Sequence, residues 1–244
     1  MRQDERALEM TRQQHQTQYM MRTRFKRTGA TSFVGHLDLM KIFERAARRA
    51  GLPLLYSQGY NPRPMLVFAL PLSVGTDTTG DYVDIAMSVP VDPEEFTEKM
   101  APELPEGLEI MSARSIGEPK KSIMSLVTAA SYAFDAKDIT RAALEVWKME
   151  SVEVEKKAKG GKIRTADIKP LMIKILETST PDHLEMLVYA GSEKNLRPDV
   201  FLKALTVHAS YPEDEASECA VTRTELYTGE YPDIVAIDVF EEIM

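Results

Sequence analysis

Cysteine is almost missing from this chain: Cys219 is the only one in 244 residues. A single thiol excludes an internal disulfide and a three-cysteine iron–sulfur cluster held by this chain alone, and it fits a reducing compartment. Histidine is scarce as well. His15, His36, His183 and His208 are the full set, with no spacing suited to a shared metal site. Apolar runs stay well short of the roughly 20 residues that a membrane-spanning helix needs. The first 18 residues are polar and carry no secretory signal, so cytoplasmic residence is expected. A phosphate-binding G-x-x-x-x-G-K-[ST] loop, a dinucleotide fingerprint, a Ser/His/Asp arrangement and a paired-carboxylate motif are all lacking. The common enzyme signatures are therefore not there.

What is present describes an ordinary globular protein, 43% hydrophobic and 28% charged. The length suits one large domain or two of roughly 100 residues each. Its net charge of -8 hides an asymmetry. Residues 1–65 hold 12 Lys/Arg against 5 Asp/Glu, whereas the remainder holds 18 against 33. Such a split suits an anionic ligand on the first part, or docking of that part onto an acidic surface, its own other half included.

The order of elements follows from periodicity. Residues 1–18 read as a polar, mobile leader. Tyr19–Lys26 alternates as a strand, Gly35–Ala50 is an amphipathic helix, and Met65–Leu70 and Asp81–Val89 are strands. Asp92-Pro93-Glu94-Glu95 opens a second helix, with an N-cap, a proline and first-turn carboxylates, and Gly107–Ser115 closes the unit as a strand. The order β-α-β-β-α-β is that of a ferredoxin-like unit. A second unit is expected to repeat it, with strands at 131–135, 152–157, 170–176, 183–189 and 222–227 and helices at 139–149 and 197–205. The predicted fold is thus α+β, with two tandem ferredoxin-like units. Residues 19–116 form the basic unit, 116–122 the linker, 123–227 the second unit and 228–244 an acidic tail able to pack back as an edge strand.

Four places stand out chemically. Lys41, Arg45, Arg48 and Arg49 form a stripe along the first helix, suited to phosphate contacts or to a plain solvated face. Arg22, Arg24 and Lys26 on the first strand add to the same basic region. The loop Tyr56-Ser57-Gln58-Gly59-Tyr60-Asn61-Pro62-Arg63-Pro64 fences Arg63 between two prolines, with Gln58 and Asn61 as polar neighbours and Tyr56 and Tyr60 able to stack on bases. Its structural reading is a rigid crossover that aims the next strand. The turn before the later helix offers Lys194, Asn195 and Arg197 to an anion. His36 in the first helical turn is depressed in basicity by the macrodipole and could serve as a general base, although a hydrogen-bonded helix-start histidine is the simpler reading.

The run F-x-G-H-L-D-L-M-x-x-F-x-R-A-x-R-R-A-x-L-P (residues 33–53), followed by Y-S-Q-G-Y-N-P-R-P (56–64), resembles the bacterial radical-SAM-linked, or radical-SAM-associated, proteins. The resemblance covers roughly residues 19–227, and Gly35 stands where that family carries serine. It implies an association rather than a reaction. This chain would be the free-standing version, partnered by a radical S-adenosylmethionine protein that carries the iron–sulfur cluster and S-adenosylmethionine, with no cofactor here. The expectation is a non-enzymatic accessory subunit that presents an RNA or ribosomal substrate through its basic surface. One rival is a metal-independent endoribonuclease in which His36 removes the ribose proton and Arg63 stabilises the phosphorane. A purely protein–protein adaptor is the other.

Overall fold

A computed structural model describes residues 19–117, 119–157, 163–177 and 179–239. The expected leader, the Gly160-Gly161 turn and the last five residues lie outside these. The first half runs β1 (Tyr19–Arg27), α1 (His36–Arg49), β2 (Leu66–Phe68), β3 (Asp77–Met87), α2 (Pro93–Met100) and β4 (Leu108–Ser115). The second half runs α3 (Ile123–Leu126), β5 (Ala129–Asp135), α4 (Ile139–Trp147), β6 (Glu153–Lys157), β7 (Ile163–Asp167), β8 (Met172–Glu177) and β9 (His183–Tyr189). It ends with α5 (Pro198–His208), α6 (Glu213–Glu218), β10 (Ala220–Thr228) and β11 (Val235–Ala236).

The architecture is mixed α+β around one nine-stranded sheet in the order β4-β1-β3-β10-β5-β9-β8, with β2 pairing β3 and β11 pairing β10. Within the first half the order is β4-β1-β3-β2, antiparallel throughout. The second half gives β10-β5-β9-β8, again antiparallel throughout. The two halves meet where β3 and β10 pair in parallel, Thr222 opposite Asp77 and Arg223 opposite Thr78. This short seam makes the sheet continuous.

Alternation decides which side of β1 is apolar. Met21 and Phe25 face α1, where Leu39, Phe43, Ala46 and Ala47 return the contact at helical spacing. Phe25, Phe43 and Phe68 meet edge to face at 5.0, 5.7 and 5.3 Å. Burying each such ring stabilises by about 1.5–3 kcal/mol. At α2 the Asp92 carboxylate accepts from the Glu94 and Glu95 amides at 2.9 and 3.2 Å, as the N-cap pattern predicts.

Several boundaries differ from the sequence reading. The strand expected at Asp81–Val89 begins four residues earlier, because Asp77 and Thr78 gain β10 as a partner that no local pattern announces. The strand expected at Met65–Leu70 shrinks to three residues, as β3 pairs with only that much of it. β7 is an extra strand. It pairs with β6 as a two-stranded hairpin apart from the main sheet, and leaves β8 as the strand that pairs β9. The acidic tail does return to the sheet, but it pairs with β10 in the interior rather than at an edge, and through Val235 and Ala236 alone. α3 and α6, four and six residues long, are too short to show a helical period.

Candidate anion-binding cleft

Two neighbours in sequence become two walls in space. The Tyr56–Pro64 loop closes on itself: Tyr56 and Pro64 form an isolated bridge, the Ser57 amide donates to the Arg63 carbonyl at 2.8 Å, and the Arg63 amide donates to Ser57 Oγ at 3.1 Å. Gly59 turns the tip at φ +142°, a region side chains avoid. Ser57 thereby clamps the backbone of Arg63, and the loop projects beside α1. Between loop and helix lies a cleft of about 670 Å³ lined by Lys41, Glu44, Arg45, Arg48, Asn61, Pro62 and Arg63.

Four cations and one carboxylate line this cleft, so its field favours an anion. Lys41 and Arg48 lean on carboxylates of their own helix, Asp38 at 2.9 Å and Glu44 at 3.4 Å. Exposed pairs of this kind are worth only about 0.3–0.5 kcal/mol and yield readily to a ligand. Arg45 and Arg63 are exposed, and neither has an ion-pair partner among the described residues. Tyr60 stands fully solvated on the loop tip, with Tyr56 partly exposed and Gln58 exposed beside it.

The other expected members do not join this cleft. Arg22, Arg24 and Lys26 alternate with Met21, Thr23 and Phe25, which puts them on the face of β1 turned away from α1. Arg22 is buried in a bidentate pair with Asp84, its cross-strand neighbour, at 2.8 and 2.9 Å. Arg24 pairs with Glu225 at 2.8 Å and Lys26 with Glu109 at 3.2 Å. Their carboxylates come from strands far along the chain, so the sequence shows three cations with no acid nearby. Arg49 points out of the cleft to Glu103 at 2.6 Å. In the later turn Lys194 sits over the Tyr189 ring at 4.6 Å, Arg197 pairs with Asp199 at 2.6 Å and Asn195 is exposed. That turn borders a separate cavity of about 360 Å³ with Glu193 and Glu230 in its lining.

His36 is also set apart. Nine residues separate it from Arg45, about half a turn around the helix, and its ring packs edge-on to Phe68 at 5.4 Å. Burial, and then the nearby Arg27 guanidinium, lower its pKa. His36 is not among the residues that line the cleft with Arg63. Sequence reasoning missed Glu44 as a member of the cleft, and its place four residues before Arg48 was the available signal. Among the described residues no three His, Cys, Asp or Glu side chains are grouped to hold a metal, and no helix is long and apolar enough to cross a membrane.

Fold and cleft together define a mixed α+β protein that offers a cationic cleft beside an aromatic-tipped loop. Over residues 20–198 the chain matches the family described as "Uncharacterized protein conserved in bacteria (DUF2344)", and it belongs to that family. No curated protein matches it.

Proposed function

We propose that this chain is a binding protein that holds the phosphate backbone of RNA in the cleft between α1 and the Gln58–Pro64 loop, and so presents that RNA to a partner enzyme. One observation carries the reading: Arg45 and Arg63, from different elements, line one cleft without carboxylate partners among the described residues, with Lys41 and Arg48 beside them. Guanidiniums in this setting suit bidentate phosphate contacts, and the exposed Tyr60 suits stacking of an unpaired base. The partner is the radical S-adenosylmethionine protein that the resemblance implies; it would carry the iron–sulfur cluster and S-adenosylmethionine. The strand orders support reading the halves as two ferredoxin-like units that share a sheet.

The test is binding of a fluorescein-labelled single-stranded RNA at two salt concentrations, native against Arg45→Ala with Arg63→Ala. The expected result is salt-dependent binding that the double variant weakens by about tenfold or more, with a salt dependence shallower by about two ions. Equal affinity in native and variant proteins, or no binding at low salt, sinks the reading.

A protein–protein adaptor is the second reading, favoured by a specific patch. Phe33 and Leu37 are 70% and 71% exposed beside the start of α1, and Val74 is 60% exposed on the turn that abuts Phe33. Side chains of this size are usually covered by something. Retention of partner binding by the Arg45/Arg63 variant, with loss in Phe33→Ser and Leu37→Ser, would favour it.

A further inference from the structure

The face of β4, β1 and β3 turned away from α1 carries a smaller cavity, about 240 Å³, lined by Arg22, Arg24, Tyr82, Ser112, Arg114 and Asp238. Register builds its floor. Arg114, Arg22 and Asp84 form one cross-strand row, and Ser112, Arg24 and Tyr82 form the next. Placing Arg22 directly opposite Arg114 is unfavourable in itself, since like charges across a strand pair repel. Such an arrangement calls for anions above the sheet.

The chain supplies them from three places. Asp84 holds Arg22 in the bidentate pair already described. Glu225 on β10 takes Arg24 at 2.8 Å and accepts from the Tyr82 hydroxyl at 2.6 Å. The third carboxylate comes from the returning tail: Asp238 lies 3.6 Å from Arg24, and the neighbouring Ile237 carbonyl accepts from Arg114 Nη2 at 3.1 Å. At 3.6 Å Asp238 is too far for a hydrogen bond, and Arg24 Nε is buried with no hydrogen-bond partner among the described residues. Ile237 is the anchor of the tail, fully buried, with its amide bonded to the Leu226 carbonyl. Val239 beyond it is 66% exposed. The Asp238 side chain can therefore swing out without unseating Ile237. Arg24 would then keep Glu225 alone as its carboxylate partner among the described residues.

We infer that this cavity is a second anion site, distinct from the α1 cleft, for a small phosphate- or carboxylate-bearing ligand, and that Asp238 occupies it as a built-in surrogate. The volume admits one oxyanion group and its immediate substituents, and is well below that of a cleft for a polymer chain. A ligand seated here would pair with Arg24 and Arg114 and would find the Ser112 and Tyr82 hydroxyls at its rim.

The test titrates inorganic phosphate into the full chain by calorimetry, in an Arg45→Ala/Arg63→Ala background so that the α1 cleft does not contribute. Adding Asp238→Asn is expected to raise phosphate affinity about tenfold, the scale of removing one partly screened competing charge. Adding Arg24→Gln should then abolish the gain. Should that variant unfold, as circular dichroism would reveal, Arg114→Gln on the outer strand takes its place. Acetate run in parallel separates a carboxylate from a phosphate ligand, and a gain with either supports the site. The same affinity for both ions with and without Asp238→Asn overturns the inference, whether that affinity is measurable or nil. So does a gain that survives loss of Arg24 or Arg114.

Discussion

A Cβ added at Gly80 would stand 2.1 Å from the Thr224 carbonyl oxygen and 2.7 Å from the Glu225 Cα. Both are backbone atoms of β10, which crosses here with a bulge between Arg223 and Glu225. Neither can step aside without shifting the seam. Gly80→Ala should cost at least about 2–3 kcal/mol, at the upper end of what overpacking does, and urea melts of the two proteins would measure it. A midpoint unchanged within error would mean that β10 does not approach β3 this closely. The glycine is plain in the sequence, but its reason is not, because the atom it makes room for is some 140 residues away. The same holds for Arg22 and Arg24. Their alternation along β1 is legible, yet the carboxylates that absorb their charge, Asp84 and Glu225, could be assigned only once strand neighbours were known. Asp92 is the opposite case, since a cap and the amides it accepts from lie within three residues.

At the scale of elements, α1 is the most legible piece of the molecule. Its buried residues recur at helical spacing, and Lys41, Arg45 and Arg48 of its basic stripe line the cleft while Arg49 turns to Glu103. Its relation to the loop was not legible, because that depends on how the Ser57–Arg63 clamp folds the loop back. The first turn of α1 carries a pH effect. Burial lowers the pKa of His36, so the unfolded chain binds its proton more readily than the native one does. Stability then rises with pH across the window between the lowered value and the ordinary one near 6.5, and is lost as pH falls through it. Native protein should lose thermal stability from pH 7 to pH 5 more steeply than His36→Gln does. Parallel curves for the two proteins would show that His36 titrates alike in both states.

For the molecule as a whole, the seam between β3 and β10 is the decisive feature. Arg223 is almost fully buried, and its guanidinium pairs with Asp81 at 2.6 and 2.7 Å and donates to the Leu70 carbonyl at 2.8 Å. Removing one partner strands a buried charge, at about 3–5 kcal/mol, whereas replacing both with apolar residues is commonly far milder. Asp81→Ala should therefore be strongly destabilised, and Asp81→Leu with Arg223→Met should recover most of the loss in a thermal melt. Failure of the double variant to improve on the single one would show that the pair also fixes the seam's register. With one sheet running through both halves, Trp147 fluorescence, which reports only the second, should change at the same midpoint as the far-ultraviolet signal of the whole. Two separated midpoints would mean that the halves are independent.

The seam also bears on how the protein is made. Thr78 and Arg223, bonded side chain to carbonyl, are 145 residues apart. A ribosome adding roughly 5–20 residues per second leaves on the order of ten seconds between the appearance of β3 and that of β10. For most of that interval, once β4 has followed, the nascent first half has every one of its own strands, but Asp77 and Thr78 of β3 wait as an open edge and the Asp81 carboxylate is without its guanidinium. The polar and charged residues in and next to that edge, Asp77, Thr78, Thr79 and Asp81, make it a poor template for a neighbouring chain, and so guard the unfinished molecule until its last long strand arrives.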